Sequence, residues 1–158
     1  VKERDPESRP GGVFVNAPME LVRTLLDDGT LALAQLHGQE DESYIRELKT
    51  YTDKLIIKAF SIKTTEDIEK ALQSPADYIL LDQGGGGTGK TFDWSLIPEI
   101  QRPFFLAGGI GASKLGQAIR EIHPYAVDLS SSVETEKRKD PMKIRQVVDI
   151  VREIKIIN

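Results

Sequence analysis

Six short apolar, β-branched runs recur along the chain, separated by polar and helix-patterned stretches. They are Gly12-Val13-Phe14-Val15, Leu33-Ala34-Gln35-Leu36, Leu55-Ile56-Ile57-Lys58-Ala59-Phe60, Tyr78-Ile79-Leu80-Leu81, Phe104-Phe105-Leu106-Ala107 and Ala126-Val127-Asp128-Leu129. Their starts lie about 20–26 residues apart, room for a strand followed by a helical crossover. The runs are near-continuously apolar rather than alternating, as strands read when a parallel sheet is covered on both faces.

Helical patterns fill the intervals. Asn16 has the chemistry of an N-cap before Ala17-Pro18, with Leu21, Val22, Leu25 and Leu26 on one face and Gly29 as the stop. Asp41 opens a second helix through Tyr44, Ile45 and Leu48. Thr64 with Asp67 forms a capping-box variant before Ile68, Ala71 and Leu72. Leu115, Ala118, Ile119 and Ile122 share a helical face, and Asp140-Pro141 starts a last helix with Ile144, Val147, Val148 and Val151 inward. Six consecutive βα units predict an α/β fold, either an open doubly wound sheet or a (β/α)8 barrel. Residues 1–12 read as an irregular lead-in and 13–158 as one domain, with no internal linker.

Composition narrows the class. The 158 residues are 39% apolar and 29% charged, a globular balance. No apolar run reaches membrane-spanning length, and Val1-Lys2-Glu3-Arg4-Asp5-Pro6 is too charged for a signal peptide; the expected location is cytoplasmic. The chain does not begin with Met, and its true start is expected upstream. A net charge of -4 argues against nonspecific nucleic-acid binding. The absence of cysteine rules out disulfides, thiolate metal sites and a catalytic thiol in these residues. No His, Asp and Glu set has metal-ligand spacing.

Candidate chemistry gathers just after the strands: Asn16, His37-Gly38, Ser61, Asp82-Gln83, Gly108-Gly109 and Ser130-Ser131-Ser132. In α/β folds ligands bind at the carboxyl ends of strands. Asp82, at the mouth of a covered strand, suits a general acid, although a loop-fixing carboxylate would occupy the same place. Gly108-Gly109 and Ser131-Ser132 follow the last two strands, where barrels commonly bind phosphate, although ordinary turns use the same residues. His37 could donate or accept a hydrogen bond; His123 precedes a strand at the opposite end and is assigned no function. Gly84-Gly85-Gly86-Gly87-Thr88-Gly89-Lys90-Thr91 spells a P-loop. Pro98 cuts the following helix short and no later strand ends in a clear Walker-B Asp, so a glycine lid fits better.

Taken together, Gly12-Val13-Phe14-Val15-Asn16, Gln35-Leu36-His37-Gly38, Ile57-Lys58-Ala59-Phe60, Leu80-Leu81-Asp82, Gly86-Gly87-Thr88-Gly89-Lys90-Thr91-Phe92-Asp93-Trp94, Leu106-Ala107-Gly108-Gly109-Ile110 and Val127-Asp128-Leu129-Ser130-Ser131 resemble the phosphoribosylanthranilate isomerases of tryptophan biosynthesis. Order and spacing agree from about residue 12 to the end. The resemblance implies a (β/α)8 barrel, here incomplete, with strands three to eight. It implies a cofactor-free Amadori rearrangement of N-(5-phosphoribosyl)anthranilate, a phosphorylated aminosugar, to 1-(o-carboxyphenylamino)-1-deoxyribulose 5-phosphate. It makes Asp82 the acid that opens the ribose, puts Gln35, His37 and Asp128 at the substrate, and puts Gly108, Gly109, Ser131 and Ser132 at the phosphate. The family's general base is a cysteine on its first strand, and an arginine after its second strand holds the anthranilate carboxylate.

The departures from the family carry equal weight. Neither that cysteine nor that arginine has a counterpart, Ser132 replaces a common glycine, and Glu136-Lys137-Arg138 replaces a glycine-containing turn. An N-terminally truncated isomerase, inactive alone and prone to pair through its two open strand edges, is expected. A nonenzymatic phosphosugar-binding module and a P-loop nucleotide hydrolase are the alternatives. The related isomerase of histidine biosynthesis is disfavoured by Phe92-Asp93-Trp94.

Overall fold

The computed structural model describes residues 9–82 and 97–157, and within them all six strands and five helices form. In chain order they are β1 (Gly11–Phe14), α1 (Met19–Asp27), β2 (Leu33–Leu36), α2 (Glu42–Tyr51), β3 (Leu55–Ser61), α3 (Thr65–Leu72), β4 (Tyr78–Asp82), β5 (Phe104–Ala107), α4 (Ala112–Ile122), β6 (Ala126–Asp128) and α5 (Pro141–Ile157). A 3-10 turn (Ser131–Val133) and a small hairpin of β7 (Glu134–Thr135) and β8 (Arg138–Lys139) precede α5. The strands are ordered β1-β2-β3-β4-β5-β6 in one sheet. That order decides between the two architectures: a doubly wound sheet reverses direction at a switch point, whereas strands that always add on the same side follow the winding of the (β/α)8 family.

Contacts divide the chain into two units, Val1–Ala59 with Gln73–Ile79, and Phe60–Leu72 with Leu80–Asn158. In the first, β1 pairs with β2 and β2 with β3, both parallel, so that Val13, Gln35 and Ile57 stand in register. Phe14, Val22, Leu26, Leu36, Ile45 and Leu48 belong to one buried cluster. α1 stops where Gly29 takes a positive φ of 77° and donates its N–H to Leu26 O at 3.3 Å, a conformation that costs glycine little. α2 is capped as expected, Asp41 accepting from Tyr44 N at 2.9 Å. Asp77 ties the start of β3, its carboxylate accepting from Ile56 N at 2.8 Å and pairing with Lys49.

In the second unit Asp67 accepts from Thr64 N at 3.0 Å while Asp67 N donates to Thr64 Oγ1 at 3.4 Å, the reciprocal box expected before α3. β5 and β6 pair in parallel, with Ala107 opposite Asp128. Asp140 caps α5 by accepting from Met142 N at 2.9 Å. The hairpin turn holds Glu136 and Lys137 at φ of 51° and 62°, a region that costs a side-chain-bearing residue about 1–2 kcal/mol and is ordinarily filled by Asn-Gly. Here the departure from the family's glycine-containing turn is borne as backbone strain.

Several expectations are corrected. The first strand starts at Gly11, so residues 11 and 12 leave the lead-in. Asn16 does not cap α1: the helix starts after Pro18 with no side-chain cap, and Asn16 itself is left-handed, φ 52°. The strands are not all covered on both faces. β3 is buried from Ile56 to Ala59, but Val13 on β1 is 65% exposed and no residue of β6 is fully buried, because an outermost strand lacks a neighbour. The inner face of α5 is Val147 with Ile154, while Ile144 and Val148 are exposed.

Candidate functional site

Two clusters stand at carboxyl ends of strands, one in each unit. The first is built on β1, β2 and β3. Gln35 points its amide at His37, Nε2 to Nδ1 3.1 Å, and His37 N donates to Phe14 O at 2.7 Å. His37 is an exposed residue. Below it lies an ion pair the sequence reading passed over: Lys58 Nζ to Glu40 Oε2, 3.1 Å, with side chains only 5% and 2% exposed. Glu40 also accepts from Asn16 N at 2.7 Å and Gly38 N at 2.8 Å. Lys58 donates to Gly38 O at 2.7 Å and Leu36 O at 3.4 Å.

Burial pushes the Glu40 carboxyl up, but hydrogen bonds from its own amide and from Asn16, with the ammonium of Lys58, outweigh it and hold the group below the usual glutamate range. Tyr44, which donates to Ala17 O at 3.1 Å, is pushed up by burial and by the Glu40 charge. Asn16, Gln39, Glu40 and Tyr44 border a cavity of about 330 Å³. The signal that could have exposed the pair is Lys58 itself, a cation in the middle of an apolar strand; a buried cation must find an anion.

The second cluster is built on β4, β5 and β6. Asp82 is the last residue of β4, half-buried, and its carbonyl accepts from Ile62 N at 2.8 Å. Gly108 and Gly109 follow β5 with φ of 85° and 61°. Nothing lies within 4 Å of a Cβ built on Gly109, so backbone conformation alone favours glycine there. Asp128 ends β6 and is exposed. Ser131 and Ser132 form the 3-10 turn beyond it. Lys139 secures that turn by donating to Ser130 O at 3.0 Å and Ser130 Oγ at 3.1 Å while pairing with Glu134 at 2.8 Å. Lys143 adds a bond to Glu134 O at 2.6 Å. Thr135 and backbone amides at the start of α5 hold Asp140 below its ordinary carboxylate value.

The structure therefore brings Asp82, Gly108, Gly109, Asp128, Ser131 and Ser132 to the strand ends of one unit, and Gln35 and His37 to those of the other. The glycine run 84–91 and Phe92-Asp93-Trp94 lie outside the described residues. His123 closes α4 in a left-handed conformation, donating its N–H to Ile119 O, a structural place at the opposite end of the strands. Among the described residues no three His, Asp or Glu side chains are grouped to hold a metal ion, and no helix is long and apolar enough to cross a membrane.

Comparison with known proteins gives concordant results. A family profile described as N-(5'-phosphoribosyl)anthranilate (PRA) isomerase matches residues 2–150. An N-(5'-phosphoribosyl)anthranilate isomerase from Endomicrobium trichonymphae is 44% identical over 147 residues, covering 90% of this chain and 72% of that protein. The crystal structure of phosphoribosyl anthranilate isomerase from Thermotoga maritima superposes with a TM-score of 0.80 at 34% identity, covering 95% of this chain and 76% of that one. A phosphoribosyl anthranilate isomerase solved in complex with reduced 1-(o-carboxyphenylamino)-1-deoxyribulose 5-phosphate superposes with a TM-score of 0.78 at 32% identity, covering 96% and 75%.

Proposed function

Because the chain belongs to the N-(5'-phosphoribosyl)anthranilate isomerase family of tryptophan biosynthesis, we propose that its strand ends bind the phosphorylated aminosugar and supply the acid, but not the base, of the Amadori rearrangement. The observation that carries this reading is the gathering of Asp82, the left-handed Gly108-Gly109 pair, Asp128 and the Ser131-Ser132 turn at strand carboxyl ends in a single unit.

Asp82 gives its proton to the ribose ring oxygen. The C1–O bond breaks as the anilino nitrogen's lone pair forms a C=N bond. A base then removes the proton from C2, and the electron pair left behind forms the C1–C2 double bond while the C=N electrons return to nitrogen. The resulting enolamine tautomerises to the ketose. Family resemblance assigns the base to a cysteine, and the 158 residues contain none. Gly108, Gly109, Ser131 and Ser132 bind the phosphate through backbone N–H groups and hydroxyls, holding the reacting end in place. Gln35, His37 and Asp128 contact the sugar. No cofactor is needed, since the proton moves cover the whole reaction, and the proposed setting is the cytoplasm.

The reading is tested by calorimetric titration with 1-(o-carboxyphenylamino)-1-deoxyribulose 5-phosphate. Binding is expected, and Gly109→Val, which places a β-branched residue at φ 61°, is expected to weaken it at least about tenfold by turning the peptide N–H groups away. No binding by the unaltered chain sinks the reading. A nonenzymatic binding module would give the same binding curve, so turnover separates the two, as argued below.

The open edges have a further place in the proposal. Val13 and Val15 are both 65% exposed beside β1, and Val127, Val148 and Val151 border an apolar groove of about 480 Å³ beside β6. We propose that a second copy of the chain covers an edge. Sedimentation velocity over a hundredfold concentration range is expected to show a mass that rises with concentration, and a constant monomer mass would contradict it.

A further inference from the structure

Lys58 and Glu40 take no part in the proton transfers proposed for Asp82, yet they are among the most deeply buried charges described. A buried ion pair is by itself weak evidence for stability. Its information lies in what it holds. Glu40 grips the amides of Asn16 and Gly38, and Lys58 grips the carbonyls of Leu36 and Gly38. Gly38 is thus fixed at both its N–H and its C=O. Asn16 completes the lock, its Oδ1 accepting from Gln39 N at 2.6 Å, and a Cβ on Gly38 would stand 2.4 Å from that same Oδ1. His37, between these anchors, has its amide on Phe14 O and its ring nitrogen beside Gln35. Exposed loops are ordinarily the mobile part of a fold, but here buried charge fastens one from below.

We infer that Glu40 and Lys58 are positioning residues of the isomerase, fixing the His37-Gly38 segment so that the His37 ring meets the sugar in a single pose. The inference rests on the assignment of His37 to the substrate. Neither charge touches the ligand; both act through the peptide groups on either side of Gly38.

The test compares Glu40→Gln and Lys58→Met with Leu115→Ala, a core change on α4 in the other unit, all in the full 158-residue chain at a temperature where circular dichroism shows each folded. Amide hydrogen exchange at Gly38 and Gln39 is expected to rise at least about tenfold in the two charge variants and to keep its ratio to global opening in the control. Affinity for 1-(o-carboxyphenylamino)-1-deoxyribulose 5-phosphate is expected to fall at least about tenfold in the charge variants, while affinity for inorganic phosphate stays as in the unaltered chain. Product affinity within twofold of the unaltered chain in a folded charge variant overturns the inference. Should the unaltered chain bind no product, the functional reading fails, and exchange alone decides: a loop still protected overturns the inference and an opened loop supports it. Should neither charge variant fold, the unaltered chain is titrated with acid. A shift of the His37 backbone amide resonance where Glu40 takes up its proton supports the coupling, and an amide that does not respond overturns it.

Discussion

Replacing Lys58 with methionine lowers the unfolding free energy by about 3–5 kcal/mol, as removal of one partner from a buried ion pair does. The substitution keeps the length of the side chain and removes only the ammonium, leaving the Glu40 carboxylate 2% exposed without its cation. It also strips a donor from the carbonyls of Gly38 and Leu36. Changing both partners to apolar residues does not restore stability, because Asn16 N and Gly38 N then lose their acceptor, at about 1–3 kcal/mol for each buried group left unmade. The dependence on pH has a definite sign. The folded carboxyl of Glu40 is held below its ordinary value, so the unfolded chain binds the proton more readily. The stabilisation is complete above the ordinary glutamate pKa and is lost as pH falls through the lowered folded value. Without the cation that window moves upward, so acid unfolding of Lys58→Met begins at higher pH. Urea unfolding followed across the acid range measures both effects; equal stabilities at neutral pH would contradict the account.

Turnover of N-(5'-phosphoribosyl)anthranilate by these 158 residues is expected to fall at least about a hundredfold below that of the Endomicrobium relative, because a positioned acid or base contributes about 10²–10⁴. Asp82 is the proposed acid. The residues hold no thiol, so the base that the family resemblance assigns to a cysteine has no counterpart among them. The deficit should appear in turnover with product affinity retained, since phosphate and sugar contacts do not need the base. Turnover matching the full-length relative would show that another group removes the proton. Undetectable turnover with tight product binding is also what a phosphosugar-binding module gives, so residual turnover that vanishes in Asp82→Asn is the decisive sign of an enzyme.

Much of this molecule is legible in local pattern. The strands read clearly because Ile56-Ile57 and Ile79-Leu80-Leu81 must be buried, and burial leaves a mark in every residue of the run. The caps at Asp41 and Asp67 read clearly because donor and acceptor sit three residues apart. Legibility ends where the partner is distant. Asn16 has the chemistry of a cap, but its side-chain oxygen accepts from Gln39 N, 23 residues on, and α1 starts at Met19 without a side-chain cap. Lys58 sits within an apolar strand, and nothing near it in sequence points to its anion, which lies 18 residues back in a loop. The outer strands misled for the opposite reason: Val13 has the composition of a covered residue but lies on an edge, and no residue states how many neighbours its strand has. For the proposed site, strand ends mark Asp82 and the Gly108-Gly109 pair as candidates, whereas Lys139, which braces the Ser130 turn through its carbonyl and hydroxyl, has no strand end to mark it.

The lock around Gly38 bears on how this segment can be inherited or engineered. Asn16, Gly38, Glu40 and Lys58 come from the end of β1, the loop after β2 and the middle of β3, and each satisfies groups on the others. The His37 loop is consequently not a portable cassette. Grafting residues 37–40 onto another barrel would carry His37 without the foundation that holds it, and a sequence drifting away from this arrangement must cross a state in which one buried polar group stands unmatched. The four positions form a single structural unit, dispersed along the chain and joined only by the fold.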